Sequence, residues 1–488
     1  MARDQGIAMA MDAAAVPLYV DVDGTLVKAD LFIEGALQLL KRNPIYGVAM
    51  LVWLVTGGKA YVKAKIAQHV EPDVEYLPLQ KEFVSFLKAE AAGARPIYLA
   101  SAADAHAVKL LADRLGFFAG VLASDGRINL AGSRKLDAIL AHCGNLPFDY
   151  AGNAQPDLAI WRRARRALLV NPDRGVEKAL RSTGKVERVF EDRSHGPSVY
   201  LRALRVHQWL KNMLLGVPLL MAQAWDEPHA LGALVIAFFA FGLCASMTYL
   251  FNDLLDLPSD RRHEYKCRRP IASGDISLPV AGTLIALLLL GGIGLAALLP
   301  PRFGWMLLAY LVVTFSYTLY VKNLMLMDVI FLGGLYTLRI LAGAAATDIE
   351  VSNWLLAFSV FLFLSLALVK RCAELVSLRR QGQFTVAGRD YRLDDYPILA
   401  TMGVASGYVA VLVLALYIDS YDGGSHYAQP RVLWLLCPAI LFWVSRLWIK
   451  TARGEMHHDP VIYSLKDRTS WFVLAGIACV WIAAQLSA

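Results

Sequence analysis

A chain of 488 residues that is 57% hydrophobic and 18% charged, with a mean hydropathy of +0.45, carries more apolar side chain than a water-soluble protein accounts for. The excess is uneven: the chain reads as a soluble α/β domain to about residue 189, and apolar runs of near-bilayer length recur from about residue 204. The net charge of +7 argues little for nucleic acid, because many basic residues fall in the connections between apolar runs.

The amino terminus lacks the basic-then-apolar layout of a secretory signal, so the first domain is expected to stay unexported. Six scattered cysteines with no Cys-x-x-Cys pair point to neither a zinc site nor a disulfide framework, and suit a reducing compartment. The first domain, 1–192, opens with P-L-Y-V-D-V-D-G-T-L, a short apolar strand ending in Asp21 and Asp23. A second strand, P-I-Y-L-A-S, ends at Ser101; Lys135 follows in G-S-R-K-L-D; a further strand, F-D-Y-A-G-N-A-Q-P-D, leads to Asn153 and Asp157. The strand ends of an open parallel sheet are where a ligand site forms. An insert at about 30–95 reads as helical and is unusually apolar from Val48 to Val55. It either packs on its own domain or touches the bilayer, with Lys59, Lys63 and Lys65 near anionic headgroups.

Together these motifs resemble the haloacid dehalogenase (HAD) superfamily. The resemblance implies an α/β Rossmann-like fold with the insert as a helical cap. It implies Asp21 as nucleophile, Asp23 as general acid and base, and Ser101 and Lys135 as holders of the phosphoryl oxygens. Asp157 would complete a Mg²⁺ site with Asp21 and the backbone carbonyl of Asp23. Asn153 stands where that superfamily more often has an acid, which implies weaker metal binding. A degenerate, inactive phosphatase fold is the alternative.

A linker, 193–203, leads into the membrane domain, 204–488. Nine spans are expected, at about 207–225, 229–251, 278–299, 303–321, 325–347, 353–373, 398–418, 431–449 and 470–487. One set of alternate loops holds Arg261, Arg262, Lys266, Arg268, Arg269, Lys322, Arg379, Arg380, Arg389, Arg392, Arg453, Lys466 and Arg468; the other holds little beyond Arg302 and Arg431. The positive-inside rule puts the first set, and with it the amino-terminal domain, on the cytoplasmic side of the cell (inner) membrane.

The second span leaves the membrane through L-F-N-D-L-L-D-L-P-S-D-R-R-H-E-Y-K-C-R-R-P. Asp253, Asp256 and Asp260 fall at i, i+3 and i+7 on one helical face, with Asn252 four residues before Asp256, although Pro258 interrupts. Carboxylates this dense repel unless a cation sits among them, and Mg²⁺ suits carboxylate oxygen and phosphate. The basic cluster would hold the rest of a polyphosphate. Topology alone accounts for Arg261 and Arg262 but not for the aspartates.

N-D-L-L-D-L-P-S-D resembles the N-D-x-x-D-x-x-x-D signature of the UbiA superfamily of intramembrane prenyltransferases. The likeness covers about 205–488 and implies an all-α bundle of about nine transmembrane helices that binds Mg²⁺–diphosphate. Asp328 matches the start of that superfamily's second motif, D-x-x-x-D, but Leu332 replaces its second acid. Four further stretches look like one branch, the decaprenyl-phosphate phosphoribosyltransferases. They are Y-x-x-R-x-x-A-G with Tyr336 and Arg339, Q-W-x-K-N with Lys211 and Asn212, R-P-I-A-x-G from Arg269, and K-R-x-A-E with Lys370, Arg371 and Glu374.

The branch implies phosphoribosyl pyrophosphate as donor and a polyprenyl phosphate lipid as acceptor. It implies Asp253, Asp256 and Asp260 as Mg²⁺–pyrophosphate ligands supported by Asn252, with Lys266 and Arg269 as phosphate clamps. Asp328 would meet metal or ribose, and Tyr336 and Arg339 the cavity, with Lys211, Asn212, Lys322, Lys370 and Arg371 also on substrate. Arg339 and Lys370 have a structural ion pair as the alternative, and Lys322 snorkelling at a span end. The fused phosphatase would remove the 5-phosphate of the lipid product. The competing functions are an aromatic prenyltransferase using prenyl diphosphate, and a non-catalytic scaffold or transporter.

Overall fold

The computed structural model describes residues 16–71, 73–125, 128–192, 194, 196–380, 390–420, 427–456 and 459–485. Arg389, positions 193 and 195 of the linker and both chain ends lie outside these. The chain divides into two compact units: 1–204 with 250–284, and 205–249 with 285–488.

The first unit is built on strands β1 (Leu18–Val20), β2 (Ile97–Asp104), β3 (Gly120–Ser124), β4 (Asp149–Gly152), β5 (Ala167–Val170) and β6 (Val186–Phe190). They form one parallel sheet in the order β3-β2-β1-β4-β5-β6. β1, β4 and β5 are buried throughout, as strands covered on both faces must be. The helices are α1 (Leu31–Arg42), α2 (Tyr46–His69), α3 (Lys81–Ala92), α4 (Ala105–Leu115), α5 (Ser133–Cys143), α6 (Leu158–Arg163), α7 (Val176–Arg181) and α8 (Pro197–Leu204). Alternation along β1 sends Leu18 and Val20 into a core with Phe83 and Leu87 of α3 and Leu111 of α4. Tyr19 points to the opposite core, with Ile139 of α5 and Trp161 of α6. The chain runs β1 to β3 one way and returns to β4 on the other side of β1. The order therefore reverses beside β1, and a crevice opens there at the carboxyl ends of the strands.

The remaining helices are α9 (Val217–Met221), α10 (Pro228–Leu255), α11 (Leu257–Arg262), α12 (Leu278–Ala296), α13 (Pro301–Leu319), α14 (Met327–Thr347), α15 (Asn353–Arg380), α16 (Tyr396–Asp419), α17 (Leu436–Ala452), α18 (Pro460–Lys466) and α19 (Arg468–Gln485). Among the described residues eight helical stretches are long and apolar enough to cross a membrane: α10, α12 to α15, α19, and Leu393–Asp419 and Pro430–Ala452, which add the 3₁₀ turns before α16 and α17 to those helices.

The expected first span, 207–225, is not one of them. Val206–Gly216 forms 3₁₀ turns, and the short α9 starts afresh with Pro218 in its first turn. Proline has no N–H to continue a helix that arrives, but it suits the opening of a new one. Buried Lys211 and Asn212 lie in the 3₁₀ stretch. Gly343 of α14 lets this stretch pack closely, because a Cβ there would sit 2.0 Å from the Leu215 carbonyl oxygen. Gly343→Ala is therefore expected to destabilise the membrane unit by about 1–3 kcal/mol. A lowered thermal midpoint of the detergent-solubilised chain checks this, and an unchanged midpoint contradicts it.

Candidate functional site

Asp21 leaves β1 with its N–H donated to the Ala151 carbonyl oxygen of β4 at 2.9 Å. Its carboxylate accepts from Lys135 Nζ at 2.9 Å, and the same ammonium donates to Asp157 Oδ1 at 3.2 Å and to the Tyr150 hydroxyl at 3.0 Å. Tyr150 in turn donates to Asp157 Oδ1 at 2.8 Å. Asp21, Lys135 and Asp157 are all buried. Ser101, on β2, is also buried, and its hydroxyl accepts from the Ala103 N–H at 3.1 Å. Asp23 is half-buried and accepts from the N–H of Leu31, the first residue of α1, at 3.0 Å. Gly24 has φ +77°, and a Cβ there would meet Asn153 Nδ2 at 2.4 Å. Glycine thus lets the loop after β1 close onto Asn153, whose Oδ1 accepts from the Thr25 hydroxyl at 3.2 Å.

Asp21, Asp23, Lys135, Asn153 and Asp157 line one cavity of about 420 Å³. Burial pushes the Asp21 carboxyl up to about 6 against the opposing pull of Lys135. Burial, with Asp30 adding repulsion, pushes Asp23 up to about 8. Lys135 is driven the other way by burial, but Asp21 and Asp157 outweigh this and hold its pKa above the usual lysine value. The cluster therefore pairs a fixed cation with two carboxylates, next to an acid that keeps its proton near neutrality.

The segment 250–284 belongs to this unit. Asp253 and Asp260 are buried and both accept from Arg269 Nη1, at 3.0 and 2.5 Å. Asp256 lies at the break between α10 and α11 and accepts from Asn252 Nδ2 at 3.1 Å. Pro258 does interrupt the helix, yet the N–H groups of Asp256 and Asp260 still reach back four residues, each at 2.8 Å. Lys266 is exposed. Burial raises the Asp260 pKa and Arg269 opposes it.

Arg261 was not singled out for a site by the sequence, and Glu34 was missed altogether. Their side chains form a buried two-pronged ion pair at 2.7 and 2.5 Å, and both line the cavity. Glu34→Gln leaves the guanidinium short of its partner and is expected to cost about 3–5 kcal/mol. Thermal unfolding of the full chain measures this, and a shift near zero contradicts it.

The second unit gathers two polar clusters. In one, Lys211 pairs with Asp459 and lies over the Tyr336 ring, 5.7 Å from its centroid. Arg339 bonds Asn212 Oδ1 and the Tyr310 hydroxyl, each at 3.3 Å, and faces the rings of Phe241, Tyr310 and Tyr336. Among the described residues Arg339 has no carboxylate partner, and buried Asn212 Nδ2 has no hydrogen-bond partner. In the other cluster, Asp328 accepts from Arg371 and from the Tyr391 hydroxyl, and Arg371 also pairs with Glu374. Both carboxylate oxygens of Asp328 are thus engaged by the protein. Lys322 and Lys370 are half-buried, the latter on α15 beside Arg371.

Sequence reading missed Tyr150, Asp459, Tyr310 and Tyr391. Tyr150 and Tyr310 look like core residues of a strand or span, Tyr391 looks like one more residue of a basic loop, and Asp459 lies 248 positions from Lys211.

Both acidic sites suit a divalent cation of modest demand. Among the described residues no group of three or more His, Cys, Asp or Glu side chains forms a metal cage. Mg²⁺ needs no such cage, because it keeps several waters and binds through one or two carboxylates and substrate phosphate. Lys135 holds Asp21 and Asp157 close together, and Arg269 does the same for Asp253 and Asp260.

Residues 213–464, slightly more than half of the chain, match the UbiA prenyltransferase family. The chain belongs to that family. With eight apolar helices among its described residues, this UbiA-family chain is a multi-pass membrane protein of prenyltransferase-like type. It is 34% identical over 476 residues to the uncharacterized protein y4nM of Sinorhizobium fredii, covering 96% of this chain and 91% of that protein. It is 38% identical over 281 residues to the nodulation protein NoeC of Azorhizobium caulinodans, covering 57% of this chain and 91% of that one. It is 30% identical over 288 residues to the decaprenyl-phosphate phosphoribosyltransferase of Mycobacterium tuberculosis, covering 58% of this chain and 91% of that enzyme.

Proposed function

We propose that the membrane domain, 204–488, moves phosphoribose from phosphoribosyl pyrophosphate to a polyprenyl phosphate. We further propose that the amino-terminal domain, 1–192, is a HAD-type phosphohydrolase that removes the 5-phosphate of the product. The observation that carries the first part is the 30% identity to decaprenyl-phosphate phosphoribosyltransferase over 91% of that enzyme. Leu332, in place of the second acid of D-x-x-x-D, weighs against a prenyl-diphosphate donor.

In the transferase, Asp253, Asp256 and Asp260 would hold Mg²⁺ with the pyrophosphate, and Arg269 would add positive charge. Bound there, the metal would neutralise charge on the leaving group. A phosphate oxygen of the lipid attacks the anomeric carbon of ribose as the bond from that carbon to pyrophosphate breaks. Arg339, held by Asn212, the Leu335 carbonyl oxygen and Tyr310, would face a phosphate. Lys211 and Asn212 bind beside it, and Asn212 Nδ2 supplies a donor.

In the hydrolase, Asp21, Asp157 and the Asp23 carbonyl would hold a second Mg²⁺, which would screen the phosphoryl charge when bound. Asp21 attacks phosphorus while Asp23 gives its proton to the departing 5-oxygen. Ser101 and Lys135 bind the phosphoryl oxygens. Water then attacks the aspartyl-phosphate, Asp23 takes a proton from it, and phosphate leaves with Asp21 regenerated. In this reading the positive-inside count puts the amino-terminal domain and the aspartate motif on the cytoplasmic side.

Pyrophosphate release tests the transferase half. It is expected only with phosphoribosyl pyrophosphate, polyprenyl phosphate and Mg²⁺ together, and to stop when the metal is chelated. Release that needs a prenyl diphosphate and an aromatic acceptor instead would overturn it.

A further inference from the structure

The first half of α2 offers an apolar face that no part of the described chain covers. Along this helix Tyr46, Met50 and Trp53 pack against the small core of Leu39, Val62 and Ile66. The opposite side carries Val48, Leu51, Val52 and Val55, all exposed, with Val52 at 52% and Val55 at 87%. Their spacing of three and four residues makes one continuous stripe. No charged residue occurs between Arg42 and Lys59. The Thr56 hydroxyl is turned back onto the Val52 carbonyl oxygen at 2.9 Å, so it needs no water.

We propose that this stripe is a membrane-docking surface, and that its occupant is the bilayer the chain itself spans. Three observations favour lipid over a protein partner. First, Lys41 donates to the carbonyl oxygen of Leu255, the last residue of the spanning helix α10. The stripe begins at Val48, soon after Lys41, and so starts near the end of a helix long and apolar enough to span. Second, Lys41, Arg42 and Lys59 bracket the charge-free run with positive charge, as anionic headgroups favour. Third, the geometry fits the interface and not a crossing. Gly58, at φ +70°, kinks α2 just after the apolar stretch. The part before the kink rises about 18 Å, short of the ~30 Å hydrocarbon core. A stretch too short to span, with one side packed on its own domain and an apolar side left open, suits the boundary between headgroups and acyl chains. The amino-terminal domain is thus anchored to the membrane by its own helix as well as by its covalent connection. This does not depend on what either site catalyses.

Photo-crosslinking in the full chain tests it. p-Benzoylphenylalanine is placed at Val52 or Val55, where the side chain is exposed and its loss opens no core. Leu146, 67% exposed in the loop before β4, serves as control. The protein is reconstituted in phosphatidylethanolamine–phosphatidylglycerol vesicles containing a fluorescent phospholipid and then irradiated. At least tenfold more lipid adduct at 52 and 55 than at 146 is expected. Adduct at the level of the Leu146 control overturns the proposal. So does crosslinking of 52 or 55 to a second copy of the chain in place of lipid, which would make the stripe a self-association surface.

Discussion

Asp21→Asn protein, given phosphoribosyl pyrophosphate, polyprenyl phosphate and Mg²⁺, is expected to accumulate a ribosylated lipid that keeps its 5-phosphate. Asparagine has nearly the shape of aspartate and still accepts a hydrogen bond from Lys135, so the sheet and cavity should survive. It offers no anionic oxygen to attack phosphorus. The hydrolytic rate should fall at least about 10⁴-fold, as when other enzymes lose their nucleophile. Transfer should continue, because none of its proposed groups is touched. Mass spectrometry of the extracted lipid distinguishes the two products. The same dephosphorylated lipid from wild type and variant would remove the phosphohydrolase role of the amino-terminal domain.

Asp253→Ala is expected to have the reverse pattern. Asp253 and Asp260 both bond one guanidinium nitrogen of Arg269. Losing Asp253 takes away a buried anion and leaves Arg269 with a single carboxylate. A metal–pyrophosphate complex would lose a ligand, and the leaving group would lose part of its charge stabilisation. Transfer should drop about 10²–10³-fold or more. Hydrolysis of a supplied lipid-linked ribose 5-phosphate should be far less affected. Label transfer and phosphate release, measured on one preparation, check both arms. Equal loss of both activities would indicate a folding defect and not a lost metal ligand.

Some of this arrangement is written locally in the chain. Asp21 and Asp157 could be placed together because apolar strand runs precede both, and a parallel sheet brings such ends to one edge. Ser101, expected at the end of its strand, instead lies within β2, which runs on to Asp104. Lys135 comes to that edge on α5, where its ammonium bonds both Asp21 and Asp157. Tyr150 shares that network yet reads as one more inward-facing residue of β4. The stretch 207–225 has the composition of a span. Its 3₁₀ geometry follows from Gly216 and Pro218 together with the burial of Lys211 and Asn212, which no average over a window reports. Pairings over long separations have no local signal at all. Glu34 and Arg261 are 227 positions apart, and only the folded chain shows that α1 and α11 meet. The apolar run in α2 illustrates the same limit from the other side. Sequence gives its hydrophobicity, but the exposure of Val52 and Val55 is what separates a lipid-facing stripe from a core.

The most direct measurement is transfer of ribose-labelled phosphoribosyl pyrophosphate to polyprenyl phosphate by the purified wild-type chain with Mg²⁺, following label into the organic phase. Label that enters the lipid, and fails to enter it with Asp253→Ala, is the predicted result. No lipid label from folded protein across several prenyl chain lengths would contradict the phosphoribosyltransferase assignment, and with it the two-step use of one chain.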